Sequence, residues 1–262
     1  MSQYKAVFSD IDGTLLNDTH KITPKTAQSI KRIVQHGIPF IPVSARPPKA
    51  ITPYTGQLET DNAIICYSGA LILDKNLTAL YSIEIDETSF QTLEKILQNY
   101  TALSINYYAG LDWFANDTEN YWVKQEHDIT GVICQPKPPH LTHVHKILVM
   151  AEPEQILQVE PILKAELSHL SIHRSKPTYL EIMNKQATKA KAIQFMERHL
   201  NVTADEVIAF GDNYNDLDML QYAGLSVAMA NSPDDVKAVA KEVTASNNED
   251  GIALVLNRIF AE

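Results

Sequence analysis

The sequence predicts an α/β fold in two parts, a core built on a parallel sheet and a smaller α+β module inserted into it. Three observations carry that expectation. Short apolar runs alternate with helix-patterned stretches over the first third of the chain, the same grammar returns in the last third, and the middle third breaks it. Strands separated by helices at this spacing form right-handed βαβ crossovers, which cover a parallel sheet on both faces. The core is therefore expected to be Rossmann-like.

Taken in order, Tyr4 to Phe8 reads as a buried strand, followed by Asp10-Ile11-Asp12-Gly13-Thr14. Thr23-Pro24 supplies an N-cap and a first helical position, and Ala27, Ile30, Ile33 and Val34 recur at helical spacing until Gly37 stops the helix. Ile38 to Val43 and Ala63 to Tyr67 are the next two strands. In the last third, Thr188 to Leu200 reads as a helix and Thr203 to Glu206 as a capping box. Val207 to Phe210 is a strand running into Gly211-Asp212-Asn213-Tyr214-Asn215-Asp216, and Leu225 to Met229 a further strand. Ser232-Pro233 opens a helix, and Ile252 to Ile259 closes the chain as another. Between the halves lie two expected helices, Thr88 to Asn99 and Pro153 to Ser168, among strand-like stretches at Ser104 to Tyr108, Trp113 to Ala115 and Val144 to Met150. Gln135 to Pro139 is expected to be a Pro-rich loop. The expected division is residues 1–84 and 182–262 for the core and 85–181 for the insert, joined by two linkers that would let the insert act as a lid.

Bulk properties narrow the function. At 262 residues the chain can bury a sizeable core, and 22 Lys+Arg against 32 Asp+Glu give a formal net charge of -10. That balance argues against nucleic acid or an anionic membrane as partner and suits a divalent cation. Neither a membrane-spanning run nor a signal-peptide pattern is read, so a cytoplasmic protein is expected. Cys66 and Cys134 lack metal-site spacing and read as reduced thiols.

Four polar clusters follow core strands or open helices. Asp10 and Asp12 stand one residue apart where a strand ends, the place where open α/β sheets do their chemistry. If strand alternation continues, both leave on the same side, while Gly13 permits the turn. Ser44 follows the second strand and offers a hydroxyl and turn backbone to an anion; a helix N-cap or turn serine is the structural alternative. Lys189 stands at the start of a helix, where a cation fits the dipole poorly and raises the question of a nearby anion, against the alternative of a solvated surface lysine. Gly211 to Asp216 concentrates hard oxygen ligands of the kind Mg²⁺ uses, or forms a turn with an N-cap aspartate.

Together and in this order, Asp-x-Asp-Gly-Thr, a strand-end Ser, a Lys and Gly-Asp-x-x-Asn-Asp resemble the four motifs of the haloacid dehalogenase-like (HAD) hydrolase superfamily. The insert resembles the α/β cap of its Cof-type sugar-phosphatase branch, class IIB. The resemblance implies a Mg²⁺-dependent phosphatase of small phosphorylated metabolites, with Asp10 as nucleophile and Asp12 passing protons. It implies a metal held by the Asp10 carboxylate, the Asp12 backbone carbonyl and Asp212, with Asp216 supporting the water shell. It also implies Ser44, Ala45, Arg46, Lys189 and Asn215 at the phosphate. The chain departs from the branch at Ser44-Ala45-Arg46, usually Thr-Gly-Arg, at Ser68-Gly69, usually Asn-Gly, and at Ala190, usually Gly.

Within the cap, His173, Arg174, Lys176 and Glu181 are candidate specificity residues, and Tyr107, Tyr108, Trp113 and Phe114 either a sugar-facing wall or cap core. The alternatives are a phosphosugar mutase with a similar cap and a non-catalytic phosphate-binding regulatory module. A nicotinamide-binding protein is disfavoured because no Gly-x-Gly-x-x-Gly follows the first strand.

Overall fold

The computed structural model describes residues 2–261. The first segment contains β1 (Ala6–Ser9), α1 (Pro24–Gln35), β2 (Phe40–Pro42), α2 (Thr52–Leu58), β3 (Ile64–Cys66), β4 (Leu71–Leu73) and β5 (Ala79–Ser82). The middle contains α3 (Glu87–Leu97), β6 (Ser104–Ala109), β7 (Asp112–Ala115), α4 (Tyr121–Thr130), β8 (Cys134–Pro136), β9 (Val144–Met150), α5 (Pro153–Glu166), β10 (Leu170–Lys176) and β11 (Tyr179–Asn184). The last segment contains α6 (Lys189–Leu200), β12 (Val207–Gly211), α7 (Leu217–Tyr222), β13 (Leu225–Ala228), α8 (Asp234–Val239), β14 (Glu242–Val243) and α9 (Gly251–Ile259).

A five-stranded sheet in the order β14-β13-β12-β1-β2 is parallel at every pairing. The buried strand β1 runs between β2 and β12, with Ala6 beside Val207 and Ser9 beside Phe210. Phe8, Ile41, Val43, Ile193, Met196 and Ala209 meet in one apolar cluster, which explains the near-continuous apolar runs of these strands. Local signals set the helix starts. The Thr23 hydroxyl accepts from the Thr26 N–H with Pro24 in the first turn, and Thr188 accepts from Lys191 N–H at 3.3 Å. Pro233 stands at the N-cap of α8 instead of inside its first turn, one residue from the expected place. The antiparallel pair β3 and β4, extended by β5, forms a further three-stranded sheet.

The second sheet has the order β10-β11-β9-β6-β7-β8, with β8 joining its neighbour β7 in parallel. One face is covered by α3 and α5, whose Leu93, Leu97, Ile156 and Leu163 pack with Ile147 and Leu180 of the strands. Two expectations need correction. The insert has a third helix, α4, over the opposite face, where Tyr179 donates to Glu126 Oε2 at 2.9 Å. Only Val123 and Glu126 of α4 are buried, so the helix lacks the broad apolar stripe that announces one in sequence. Gln135 and Pro136, expected in a loop, belong to the edge strand β8, a position where proline costs no ladder bond.

The chain divides into two compact units, one comprising Met1–Ala45, Ile51–Tyr81 and Thr188–Glu262, the other Arg46–Ala50 and Ser82–Ala187. Among the described residues no helix is long and apolar enough to cross a membrane.

Candidate active site

The loops that leave the C-terminal ends of β1 and β12 meet the start of α6. Asp10 follows β1 directly, its N–H donating to the Phe210 carbonyl of β12 at 2.9 Å. Lys189, 1% exposed, opens α6 and extends its ammonium to Asp10 Oδ1 at 2.5 Å and Asp216 Oδ1 at 2.6 Å. The other Asp216 oxygen accepts from the backbone N–H groups of Asp212 (2.9 Å) and Asn213 (3.0 Å), which folds the Gly211 to Asp216 turn around a fully buried carboxylate. Asp212 receives the Thr14 hydroxyl at 2.6 Å. This bond ties the first motif to the fourth.

Glycines keep these contacts close. Gly13 has φ +79°, and a Cβ there would stand 2.4 Å from Asp212 Oδ2. Gly69, at φ +104°, would put a Cβ 2.4 Å from the carbonyl of Thr188, so the loop after β3 seats the start of α6 and with it Lys189.

Ligand oxygens of Asp10, Asp212 and Asp216 lie within 4.8 Å of one another. Three carboxylates against one ammonium leave two uncompensated negative charges in a buried space, and the electrostatics register it. Burial, then the Asp216 charge, hold Asp10 well above the usual carboxylate range against the opposing pull of Lys189. Burial also lifts Asp212 to about 6, with the Thr14 hydrogen bond opposing it and the Asp216 and Asp12 charges adding to it. Burial pulls Lys189 down, but its two aspartates outweigh that and raise it above the ordinary lysine value. The donor set fits a hard divalent cation in chemistry and in charge.

Asp10 and Asp12 differ in exposure, and the Asp12 charge still reaches Asp212. β1 ends at Ser9, the chain turns at Gly13, and the Leu16 N–H closes back on the Ile11 carbonyl at 2.9 Å. Asp10 is consequently buried and Asp12 exposed. The Asp12 carboxylate lies outside the three-carboxylate group; its expected part in metal binding is through the backbone carbonyl. Ser44 is buried at the end of β2, its N–H on the Ile65 carbonyl (2.9 Å) and its carbonyl receiving the Ser68 N–H (2.9 Å). Ala45 and Arg46 follow, half-buried, and Asn215 is exposed. Ala190 donates its N–H to Asp218 Oδ2 at 2.9 Å, a bond that sequence reading did not anticipate.

The cap candidates lie close together: His173, Arg174 and Lys176 line one pocket with Glu160 and Lys164, and Glu181 pairs with His173 across the strands. Glu181 pairs with Lys146 at 2.8 Å, Arg174 with Glu160 at 2.8 Å, Lys176 lies over the Tyr179 ring, and His173 is exposed. The four aromatics do not form one wall. Tyr107 and Phe114 pack with the α3 and α5 side of the sheet, while Tyr108 and Trp113 stack on each other on the opposite face.

A family model described as haloacid dehalogenase-like hydrolase matches residues 7–256, and the chain belongs to that family. It is thus an enzyme of the haloacid dehalogenase-like hydrolase family. A Haemophilus influenzae protein named "Putative phosphatase" is 48% identical over 260 residues, covering 99% of each chain. The 5-amino-6-(5-phospho-D-ribitylamino)uracil phosphatase YitU of Bacillus subtilis is 28% identical over 96% of each. A solved structure, a haloacid dehalogenase-like hydrolase from Bacteroides thetaiotaomicron, superposes with a TM-score of 0.91 at 29% identity, covering 98% of this chain and 100% of its own.

Proposed function

We propose that this enzyme hydrolyses phosphomonoesters of small metabolites, sugar phosphates foremost, with Mg²⁺ and through an aspartyl-phosphate on Asp10. The observation that carries the reading is the buried Asp10–Lys189–Asp216 bridge beside Asp212. An isolated structural turn has no use for a buried ammonium shared by two carboxylates, whereas a site that receives a phosphate dianion beside an anionic nucleophile needs one. The phosphorylated ribityl chain in the name of YitU's substrate supports the choice of substrate class.

In this mechanism an Asp10 oxygen forms a bond to phosphorus as the bond to the alcohol oxygen breaks, and Asp12 gives its proton to that oxygen. Asp12 then takes a proton from water, whose oxygen attacks phosphorus, releasing inorganic phosphate and regenerating Asp10. Ser44, Ala45, Arg46, Lys189 and Asn215 bind the phosphoryl oxygens. The Asp10 and Asp212 carboxylates and the Asp12 carbonyl, supported by Asp216, would hold Mg²⁺, which would supply positive charge to nucleophile and phosphate alike. Phosphoryl transfer is then chiefly positioning and charge stabilisation. The inserted domain selects the alcohol.

The test is phosphate release from a panel of phosphorylated sugars and polyols with Mg²⁺. Turnover is expected for some of them and none for Asp10→Asn; wild-type release no greater than that of Asp10→Asn refutes the reading.

A further inference from the structure

Loops following β1, β13 and β14 are tied together by two asparagines that the chemistry above does not use. Asn231 donates through Nδ2 to the carbonyl of Gly13 at 2.8 Å, and its Oδ1 accepts from the backbone N–H of Asn247 at 3.0 Å. Asn247 donates through its own Nδ2 to the Leu16 carbonyl (2.9 Å) and to Asp18 Oδ1 (3.2 Å). The gripped span begins one residue after Asp12. Two of the three bonds to it land on backbone carbonyls, so they orient peptide planes as well as a side chain.

Gly13 is thereby held from two directions. Asp212 stands where its Cβ would be, the neighbouring Thr14 hydroxyl is bound to Asp212, and Asn231 holds the carbonyl. Asp12, by contrast, is exposed and lies on a loop beyond the end of β1. A carboxyl that must meet a leaving oxygen at hydrogen-bond distance needs its backbone fixed, because a misplacement of about 1 Å can cost about a hundredfold in rate. Asn231 itself is exposed, so its two bonds add little to core packing.

We infer that Asn231, braced by Asn247, is a positioning residue for Asp12: by fixing the Gly13 peptide it aims the Asp12 carboxyl at the oxygen of the departing alcohol. This rests on the proposed role of Asp12 as proton donor. It adds a dependence on the leaving group. An alkyl phosphate needs the proton from Asp12, whereas p-nitrophenyl phosphate leaves as a stable phenolate and needs it little.

The experiment compares kcat/KM, which reports the phosphoryl transfer step, for the fastest sugar phosphate of the panel and for p-nitrophenyl phosphate. It uses wild type, Asn231→Asp and Asn231→Ala. Asn231→Asp keeps the size and the acceptor for Asn247 but turns an oxygen toward the Gly13 carbonyl; Asn231→Ala removes both bonds and serves if the aspartate variant does not fold. Loss of about tenfold or more on the sugar phosphate, with less than about threefold on p-nitrophenyl phosphate, is expected from the size of general-acid effects. Equal losses on both substrates, or no loss on either, overturn the inference. Wild type inactive on both substrates overturns the phosphatase reading itself, an outcome distinct from the other two.

Discussion

Ser68 has φ +52° and ψ +28°, preceded by Tyr67 at φ +50° and followed by Gly69 at φ +104°, so three consecutive residues hold left-handed backbone beside the start of α6. Asparagine tolerates that conformation better than serine does. Ser68→Asn is accordingly expected to stabilise the protein, read as a higher urea midpoint with unchanged m-value. Lys189→Met removes the ammonium shared by Asp10 and Asp216. It should lower kcat at least about a hundredfold, the scale of losing one preorganised charge-stabilising donor, with the circular dichroism spectrum retained. At this scale much of the site was legible. Asp10, Lys189, Asp212 and Asp216 carry unusual chemistry at strand ends and a helix start, and the structure joins them. The part of Thr14 was not legible, because its hydroxyl meets Asp212 only through a contact 198 positions apart in sequence.

Among the elements, α6 has the most direct link to the chemistry, since its first residue is Lys189. Thr188→Ala removes its N-cap and should cost about 1 kcal/mol in chemical denaturation. Strand β9 carries a titrating group in the insert. His145 Nδ1 accepts from the Gly110 N–H at 3.1 Å, which places its own proton on Nε2, 2.9 Å from the Ser82 hydroxyl. Burial, against an opposing pull from Glu84, lowers His145 to about 4. The folded state thus binds this proton less readily than the unfolded chain, where histidine titrates near 6.5. Its contribution is full above pH 6.5 and is lost as pH falls toward 4, on the order of 3 kcal/mol. Urea midpoints measured from pH 7 to 4.5 should fall more steeply for wild type than for His145→Gln. Elements with strong period or caps, such as α1, α6 and β12, were readable from sequence. The helix α4 and strand β8 were not, because tertiary partners and not an apolar stripe hold them in place.

For the whole molecule, the excess of buried negative charge makes folding sensitive to cations. Mg²⁺ binding to the native site should raise the melting temperature with concentration, following RT ln(1 + [L]/Kd), and Asp212→Asn should abolish most of that shift in thermal scans. The alternation of strands and helices in the two outer thirds made the core architecture legible, and the broken pattern between them marked the insert. The asparagine ties among distant loops had no such signal, since each joins residues more than two hundred positions apart or lies in a polar turn. The sheet order β14-β13-β12-β1-β2 also bears on the order in which strands can pair. Strand β1 is made well before one of its two neighbours, β12, which begins at Val207. Until β12 has been made, one edge of an apolar parallel strand waits unpaired. A nascent chain that pauses in this interval would present β1 to chaperones or to neighbouring chains, and Asp10 meets Asp212 and Asp216 only once β12 has been made.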